Sequence, residues 1–408
     1  MTIDSIASDV PAAGDDRGGA SADQIVRSKS GQIALFSAYY PAQGGGIEIV
    51  CADLVRGLCR LGKPIDWMAL EGDRTGIDPR CAVTALPGTN AVYRKTGIPF
   101  PLPGLRSLPH IWRAVSKSVV VVVAEANFVV SCVAFAVARL QKRPILLIQH
   151  VGAPSTVSSL AAAMMRFAEK IAVRPMLRRA DAVVFVSPAV AQHFAGLRTR
   201  RPAKVIGHGV DTELFSPAET KEEKSRLRKK FGLADTAPVA SFVGRCTTSK
   251  GIEVFARMAE LRPDWQFIVA GTGPVDPESF RAPNMKALGH IERSTLAQVY
   301  KASDVLVLPS RSESFSLVVR EALSAGVKVL CGDQILETDP ALRRHLLTQP
   351  VDLEAREVTA QKFAAAIDEV APSSSDHARK YVLENCAWSE IVEKYADIIE
   401  ELEGSSVA

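Results

Sequence analysis

The feature that most constrains this chain is an alternation, run through twice, of short stretches apolar on both faces with helix-length amphipathic stretches. In the first half the apolar runs are "QIALFSA" (32–38), "PIDWMAL" (64–70), "VVVVVA" (119–124), "PILLIQH" (144–150), "DAVVFVS" (181–187) and "AKVIGHG" (203–209). The pattern restarts with "VASFVGR" (239–245), "QFIVAGTG" (266–273), "NMKALGH" (284–290), "DVLVLPS" (304–310) and "VKVLCG" (327–332). A strand without a polar face needs cover on both sides, and the helix between each pair of strands supplies it when the sheet is parallel. Two series therefore predict an α/β protein of two doubly wound Rossmann-like domains. A length of 408 residues also exceeds what one core fills. Ligands of open parallel sheets bind beyond the carboxyl ends of the strands. Two tandem sheets can face each other across a cleft, and the loops after strands are the place to look for chemistry.

Composition sets the domain limits and narrows the partners. Residues 1–30 are rich in Ala, Ser, Gly and Asp without an apolar run, and read as a disordered tail, not a signal peptide. Residues 31–215 form the first domain and 216–385 the second, with a closing helical segment at 386–408. The first domain carries 22 Lys and Arg against 11 Asp and Glu, a net of +11, whereas 216–408 has 24 against 29, a net of −5. That asymmetry points to an anionic partner such as a lipid surface or a phosphorylated acceptor, with solubility as the plain alternative. No nucleic-acid-binding motif accompanies the charge. The seven scattered cysteines form no CxxC pair, which fits a reducing compartment and a cytoplasmic protein with neither zinc site nor disulfide framework.

The stretch from Val119 to Leu140 is long enough to span a bilayer. Glu125 and Asn127 lie within it, and five successive valines favour a strand. The reading is a buried strand over 119–123 and a helix over 127–140.

Four loop motifs carry the chemistry. Gly44, Gly45 and Gly46 follow the first strand and open a helix, so backbone can approach an anion at the helix start; a flexible turn is the alternative. In "VGRCTTSKG" (243–251), Arg245 follows a buried strand and Lys250 precedes a helix, a fork and a point charge suited to a diphosphate, or else two solvated cations. In "SESFSLVVREALSAG" (312–326), Glu313 follows a strand, while Ser314, Phe315, Ser316 and Leu317 are expected to begin the next helix and to offer their amides to a phosphate. Glu321 lies two turns on, on the face shared with Leu317 and Ser324. A carboxylate in an apolar helix needs donors, which two sugar hydroxyls or a salt bridge would supply. His150 ends a strand and is expected to point into the cleft, as a sugar contact or as a structural histidine.

In order and spacing these motifs resemble the retaining glycosyltransferases of family 4, glycosyl transferases group 1, which have the GT-B fold. The resemblance runs over about residues 32–400, through "YYP…GGGIE", "QH" after the fourth strand, "DAVVFVSPAVAQHF", "KVIGHGVDTELFSP", "VGRCTTSKG", "GTGP" and "DVLVLPSRSESFSLVVREALSAG". The pair of glutamates eight apart is its most specific mark. The resemblance implies that Arg245 and Lys250 clamp a diphosphate, Glu313 holds the donor sugar and Glu321 the ribose. Gly289, His290 and Ile291 would line the base pocket, Gly45 and Gly46 would face the diphosphate, and His150 would contact the sugar. The final helix would pack back on the first domain. Ser314 and Ser316 replace the pattern's glycines, and His208 replaces the asparagine of its "NGVD" segment.

The expected function is transfer of a hexose from a nucleoside-diphosphate sugar, UDP or GDP, to a glycan or lipid-linked acceptor in polysaccharide or lipopolysaccharide synthesis. Glycosyl transfer passes through an oxocarbenium-like state, and the departing diphosphate gathers charge that fixed cations can take up. The chain has no Asp-x-Asp, so no metal and no cofactor is expected. The basic segment 161–180 is a candidate for peripheral contact with the inner face of an anionic membrane. The alternatives are a nucleotide-sugar epimerase or hydrolase of the same fold, a non-catalytic sugar-nucleotide binder, and a membrane-spanning protein.

Overall fold

A computed structural model describes residues 31–43, 45–91, 101–152, 159–311, 313–370 and 376–405. The expected tail at 1–30, Gly44 and residues 406–408 lie outside the described residues.

The first sheet contains β1 (Gln32–Phe36), β2 (Ile65–Leu70), β3 (Ala82–Leu86), β6 (Ser118–Ala124), β7 (Ile145–Gln149), β8 (Ala182–Phe185) and β9 (Lys204–Val205). A small antiparallel pair, β4 (Gly88–Thr89) with β5 (Leu102–Pro103), lies outside it. The order is β3-β2-β1-β6-β7-β8-β9, with every pairing parallel. The second sheet contains β10 (Val239–Val243), β11 (Gln266–Ala270), β12 (Met285–Ala287), β13 (Val305–Leu308), β14 (Lys328–Gly332) and β15 (Leu347–Gln349), in the order β12-β11-β10-β13-β14-β15, again all parallel. Each sheet reverses its strand order beside its first strand, β1 or β10, which places the switch-point crevices at the carboxyl ends of β1/β6 and β10/β13.

The five valines form the middle of β6, where Val120 to Val123 are fully or almost fully buried against β1 and β7. Their branched side chains suit a pleated surface covered on both sides. The strand stops at Glu125, whose φ of 79° breaks the extended backbone, and the helix Val129–Leu140 follows. Among the described residues no helix is long and apolar enough to cross a membrane.

The chain crosses from the first lobe to the second over residues 206–215 and returns over 385–388. The two crossings run side by side: Val210 N–H donates to the Cys386 carbonyl at 2.7 Å, and Trp388 N–H to the Val210 carbonyl at 3.3 Å. The helix Trp388–Ser405 then buries Ile391, Val392, Tyr395, Ile398, Ile399 and Leu402 in the core of the first lobe. Each such aliphatic side chain is worth roughly 1.5–3 kcal/mol when fully buried. This helix therefore belongs to the first lobe although its chain arrives from the second.

Some elements differ from the sequence expectation. The helix expected to begin at Ser314 begins at Leu317, because Ser316, in the N-cap position, is extended (φ −90°, ψ 102°). The strand expected over 203–209 is only Lys204–Val205, since the chain leaves the sheet edge to cross to the second lobe. β3 and β15 are edge strands that the apolar pattern did not mark.

Candidate active site

From the first lobe, the loop after β1 leads into the helix Gly46–Arg60. Gly45 is in the N-cap position, and the carboxylate of Glu48 comes so near that a Cβ on Gly45 would lie 2.0 Å from its Oε2 and would displace that side chain. The Glu48 carboxylate is folded back over the helix start. Burial pushes its pKa up to about 7, against a stabilising bond from its own backbone N–H. Gly46 is open, with nothing near its Cβ position.

Glu125 organises the loop after β7. Its fully buried carboxylate accepts from Gln149 Nε2 at 2.7 Å, from the backbone N–H groups of His150 at 3.0 Å and Val151 at 2.9 Å, and from both the backbone and side-chain N–H of Asn127. His150 is thereby fixed at the carboxyl end of β7. Its imidazole is buried, desolvation pulls its pKa down to about 3, and its Nε2 has no protein partner. Its Nδ1 lies 3.4 Å from Nε2 of His208, which sits in the crossing segment and is also held well below the usual histidine range by burial.

From the second lobe, the loops after β10, β11 and β12 stack backbone on backbone. Cys246 N–H donates to the Thr272 carbonyl at 3.0 Å, and Gly271 N–H to the Gly289 carbonyl at 2.8 Å. Gly271 has a φ of 143° and its Cβ position falls 1.9 Å from the Gly244 carbonyl oxygen, so only glycine fits. Lys250 ends a short turn at Thr248–Lys250, and its Nζ lies 2.6 Å from Oε1 of Glu313, in the loop after β13. Arg245 is exposed on the same β10 loop.

Further along the motif, Ser316 is buried with an unpartnered Oγ. Phe315 contacts His208 edge to face at 4.6 Å, and Arg320 covers the same Phe315 ring at 3.7 Å. Glu321 is buried in a separate cluster. Tyr300 O–H donates to its Oε2 at 3.4 Å, and Arg293 and Asp53 lie close enough to act on its charge. Burial and the Asp53 carboxylate raise its pKa to about 7 against the pull of Arg293.

The structure thus joins Lys250 to Glu313, and His150 through His208 to Phe315, at the carboxyl ends of β7, β10 and β13. Gly289 lies in the stacked loops, His290 is exposed, and Ile291 packs partly into the second lobe's core. Ser314 is exposed and Leu317 half-buried. Sequence reasoning missed Glu125, His208, Arg293, Asp53 and Arg320 as site-building groups. The signals for two of them were present: a carboxylate closing a five-valine strand, and a histidine in place of a patterned asparagine.

Two parallel doubly wound sheets joined beyond their carboxyl ends through His150, His208 and Phe315 and through Asp53 and Arg293, with a terminal helix returned to the first lobe, define a GT-B protein. Solved structures agree on that fold. Sucrose-phosphate synthase from Thermosynechococcus elongatus superposes with a TM-score of 0.71 at 20% identity, covering 92% of this chain and 100% of its own. HepE from Anabaena, solved in complex with UDP, superposes with a TM-score of 0.70 at 16% identity, covering 91% and 100%. Residues 44–214 match the model of Glycosyltransferase Family 4, and residues 237–371 that of Glycosyl transferases group 1. The chain belongs to the family 4 glycosyltransferases with the GT-B fold.

Among curated relatives, it is 30% identical over 169 residues to a GDP-mannose-dependent monoacylated alpha-(1-6)-phosphatidylinositol monomannoside mannosyltransferase of Corynebacterium glutamicum, covering 37% of this chain and 44% of that protein. It is also 30% identical over 218 residues to the lipopolysaccharide core biosynthesis mannosyltransferase LpsB of Rhizobium meliloti, covering 50% and 58%. The chain spans about half the length of the curated relatives it matches.

Proposed function

We propose that this protein transfers a hexose, with retention of anomeric configuration and without a metal ion, from a nucleoside-diphosphate sugar to a glycan or lipid-linked acceptor. The observation that carries this reading is the Lys250–Glu313 pair, 2.6 Å apart, at the switch-point crevice of the second sheet. Lys250, with Arg245 on the same loop, meets the diphosphate and neutralises the charge that develops on it as it leaves. Glu313 then turns to the hydroxyls of the donor sugar. His150 contacts the sugar from the first lobe, and Ser316 Oγ lacks a protein partner that substrate would supply. Glu321 accepts the ribose hydroxyls. The leaving diphosphate oxygen takes the acceptor's proton on the same face of the sugar, which is how configuration is retained without a nucleophilic carboxylate. Because fixed cations take up the leaving charge, no divalent ion is required.

The acceptor enters on the basic first lobe. Relatives that act on phosphatidylinositol mannosides and on lipopolysaccharide core support a lipid-linked or polysaccharide acceptor at the cytoplasmic face of a membrane. In the expected membrane segment, Phe167 is 64% and Ile171 59% exposed, beside the exposed Arg166 and Lys170. Such a face suits an anionic bilayer, and sedimentation with anionic vesicles at rising salt tests it. The transfer itself is tested by following the anomeric proton of the product by NMR, with UDP- and GDP-hexoses, with and without a lipid-linked acceptor. Retained configuration only when acceptor is present supports the proposal. Inverted product, or equal sugar release without acceptor as from a hydrolase, contradicts it.

A further inference from the structure

Two buried imidazoles face each other where the chain passes between the lobes. His150 and His208 stack with centroids 5.0 Å apart and planes 25° apart, and a hydrogen-bond contact of 3.4 Å joins His150 Nδ1 to His208 Nε2. Both rings are buried. His150 is anchored through its backbone N–H to Glu125 at 3.0 Å. His208 is braced edge-on by Phe315, itself covered by Arg320, whose guanidinium donates to Asp339 at 2.9 Å. Gly207 allows this approach, since a Cβ there would lie 2.8 Å from the Phe315 ring.

Two neutral rings in such a contact must share one proton between the facing nitrogens, so the tautomer of one fixes the tautomer of the other. A neutral imidazole in water prefers its proton on Nε2. Only one arrangement lets both rings keep that preference: His208 Nε2–H donates to the bare Nδ1 of His150. His150 then presents Nε2–H, buried and without a protein acceptor. Leaving a buried N–H unmet is unfavourable, and an incoming substrate oxygen would meet it.

We propose that His208 is a positioning residue: it holds His150 as the Nε2–H tautomer, so that His150 meets the donor sugar as a hydrogen-bond donor and not as a base. This inference rests on the reading that His150 faces the donor sugar. Glutamine at position 208 would preserve the effect, because its amide N–H stands as far from the backbone as the imidazole Nε2 and can donate to the same Nδ1. Phenylalanine would keep a ring in the stack but has no proton to give.

The test combines nitrogen-15 NMR of histidine-labelled free protein, the His150 resonances assigned by their loss in His150→Gln, with steady-state kinetics. The expected spectrum shows His150 protonated on Nε2 and bare on Nδ1 in the wild type and in His208→Gln, and a mixture of tautomers in His208→Phe. His208→Phe is expected to lose on the order of 10²-fold in kcat, the scale of one lost preorganised donor. Its donor KM should stay within about 3-fold, as for an interaction made mainly in the transition state. His208→Gln should recover most of the loss. A wild-type His150 protonated on Nδ1, or a His208→Phe protein matching the wild type in both tautomer and kcat, overturns the proposal. The wild-type spectrum needs no substrate and no substitution at His208, only the His150→Gln protein for assignment. It can overturn the role of His208 even if His208→Phe misfolds, or if wild-type protein binds no nucleotide-sugar and the functional reading fails.

Discussion

Nη1 of Arg293 lies 2.9 Å from both carboxylate oxygens of Asp53, a partner 240 positions away in sequence. Asp53 is buried on the helix Gly46–Arg60 of the first lobe, where Arg56 also bonds it, and Arg293 opens the helix Arg293–Ala302 of the second. The pair ties the lobes together beside Glu321. Breaking a fully buried ion pair costs about 3–5 kcal/mol. The Arg293 side chain is 29% exposed, which screens part of that. Asp53→Asn should therefore cost about 1–3 kcal/mol and raise the KM for donor, because the charge acting on Glu321 is rearranged. Urea unfolding together with donor titration checks both, and an unchanged midpoint contradicts the tie.

Glu321 and Glu48 ionise less readily in the fold than in an unfolded chain, both with pKa raised from 4.5 to about 7 by burial. A carboxyl whose folded pKa is raised contributes stability that is complete below the unfolded pKa and is lost as pH rises through the folded one. Glu321→Gln should therefore raise the melting temperature of the unliganded protein at pH 8, with the gain shrinking toward pH 5. It should also weaken nucleotide-sugar binding. A pH-independent difference in melting temperature would show that Glu321 is not the buried, strained carboxylate described above.

The histidine pair acts in the opposite direction. His150 titrates near pH 3 in the fold against 6.5 ordinarily, and His208 is depressed as well by burial, by His150 and by Arg320. The unfolded chain binds more protons between those values, so the stability these groups contribute is present above about pH 6.5 and is lost as pH falls toward 3. Replacing His208 by Asn removes one such group. The slope of stability against pH between 6 and 4 should flatten relative to the wild type, as measured by thermal melts across that range. Parallel slopes would contradict the assignment.

Glu125 gathers its hydrogen bonds from groups that can only donate. Glu125→Gln would turn one acceptor oxygen into a competing N–H donor beside them, at a cost of about 1–3 kcal/mol for the donors left unmet. Turnover should fall with it, because His150 N–H and Val151 N–H hold the loop that carries the His150 ring. Melting temperature and kcat measured on the same sample check this; a variant as stable and active as the wild type removes Glu125 from the site.

Much of this architecture was legible in the sequence because the parallel strands are apolar on both faces. Two of the edge strands, β3 and β15, were not. β3 has one neighbour and a largely half-exposed face, and β15 has three half-exposed residues, so neither carries the doubly apolar signature. The motif glutamates were visible because eight residues along one loop and helix fix their spacing. Their partners were partly hidden. The Lys250–Glu313 contact spans 63 residues, the His150–His208 contact 58 and the Asp53–Arg293 contact 240, and no local periodicity reports such pairs. The helix start at Leu317 was placed three residues early because the serines before it suit a helix N-terminus by composition, whereas the backbone there stays extended.

The most direct measurement is calorimetric titration of UDP- and GDP-hexoses into wild-type protein and Lys250→Ala, with turnover followed on the same preparations. One of the two donors should bind the wild type. Lys250→Ala should lose on the order of 10²–10³-fold in turnover, the scale of one removed charge-stabilising group, and should bind the bare nucleoside diphosphate more weakly. Equal diphosphate affinity and equal turnover in the two proteins would show that the cation beside Glu313 does not carry the leaving group.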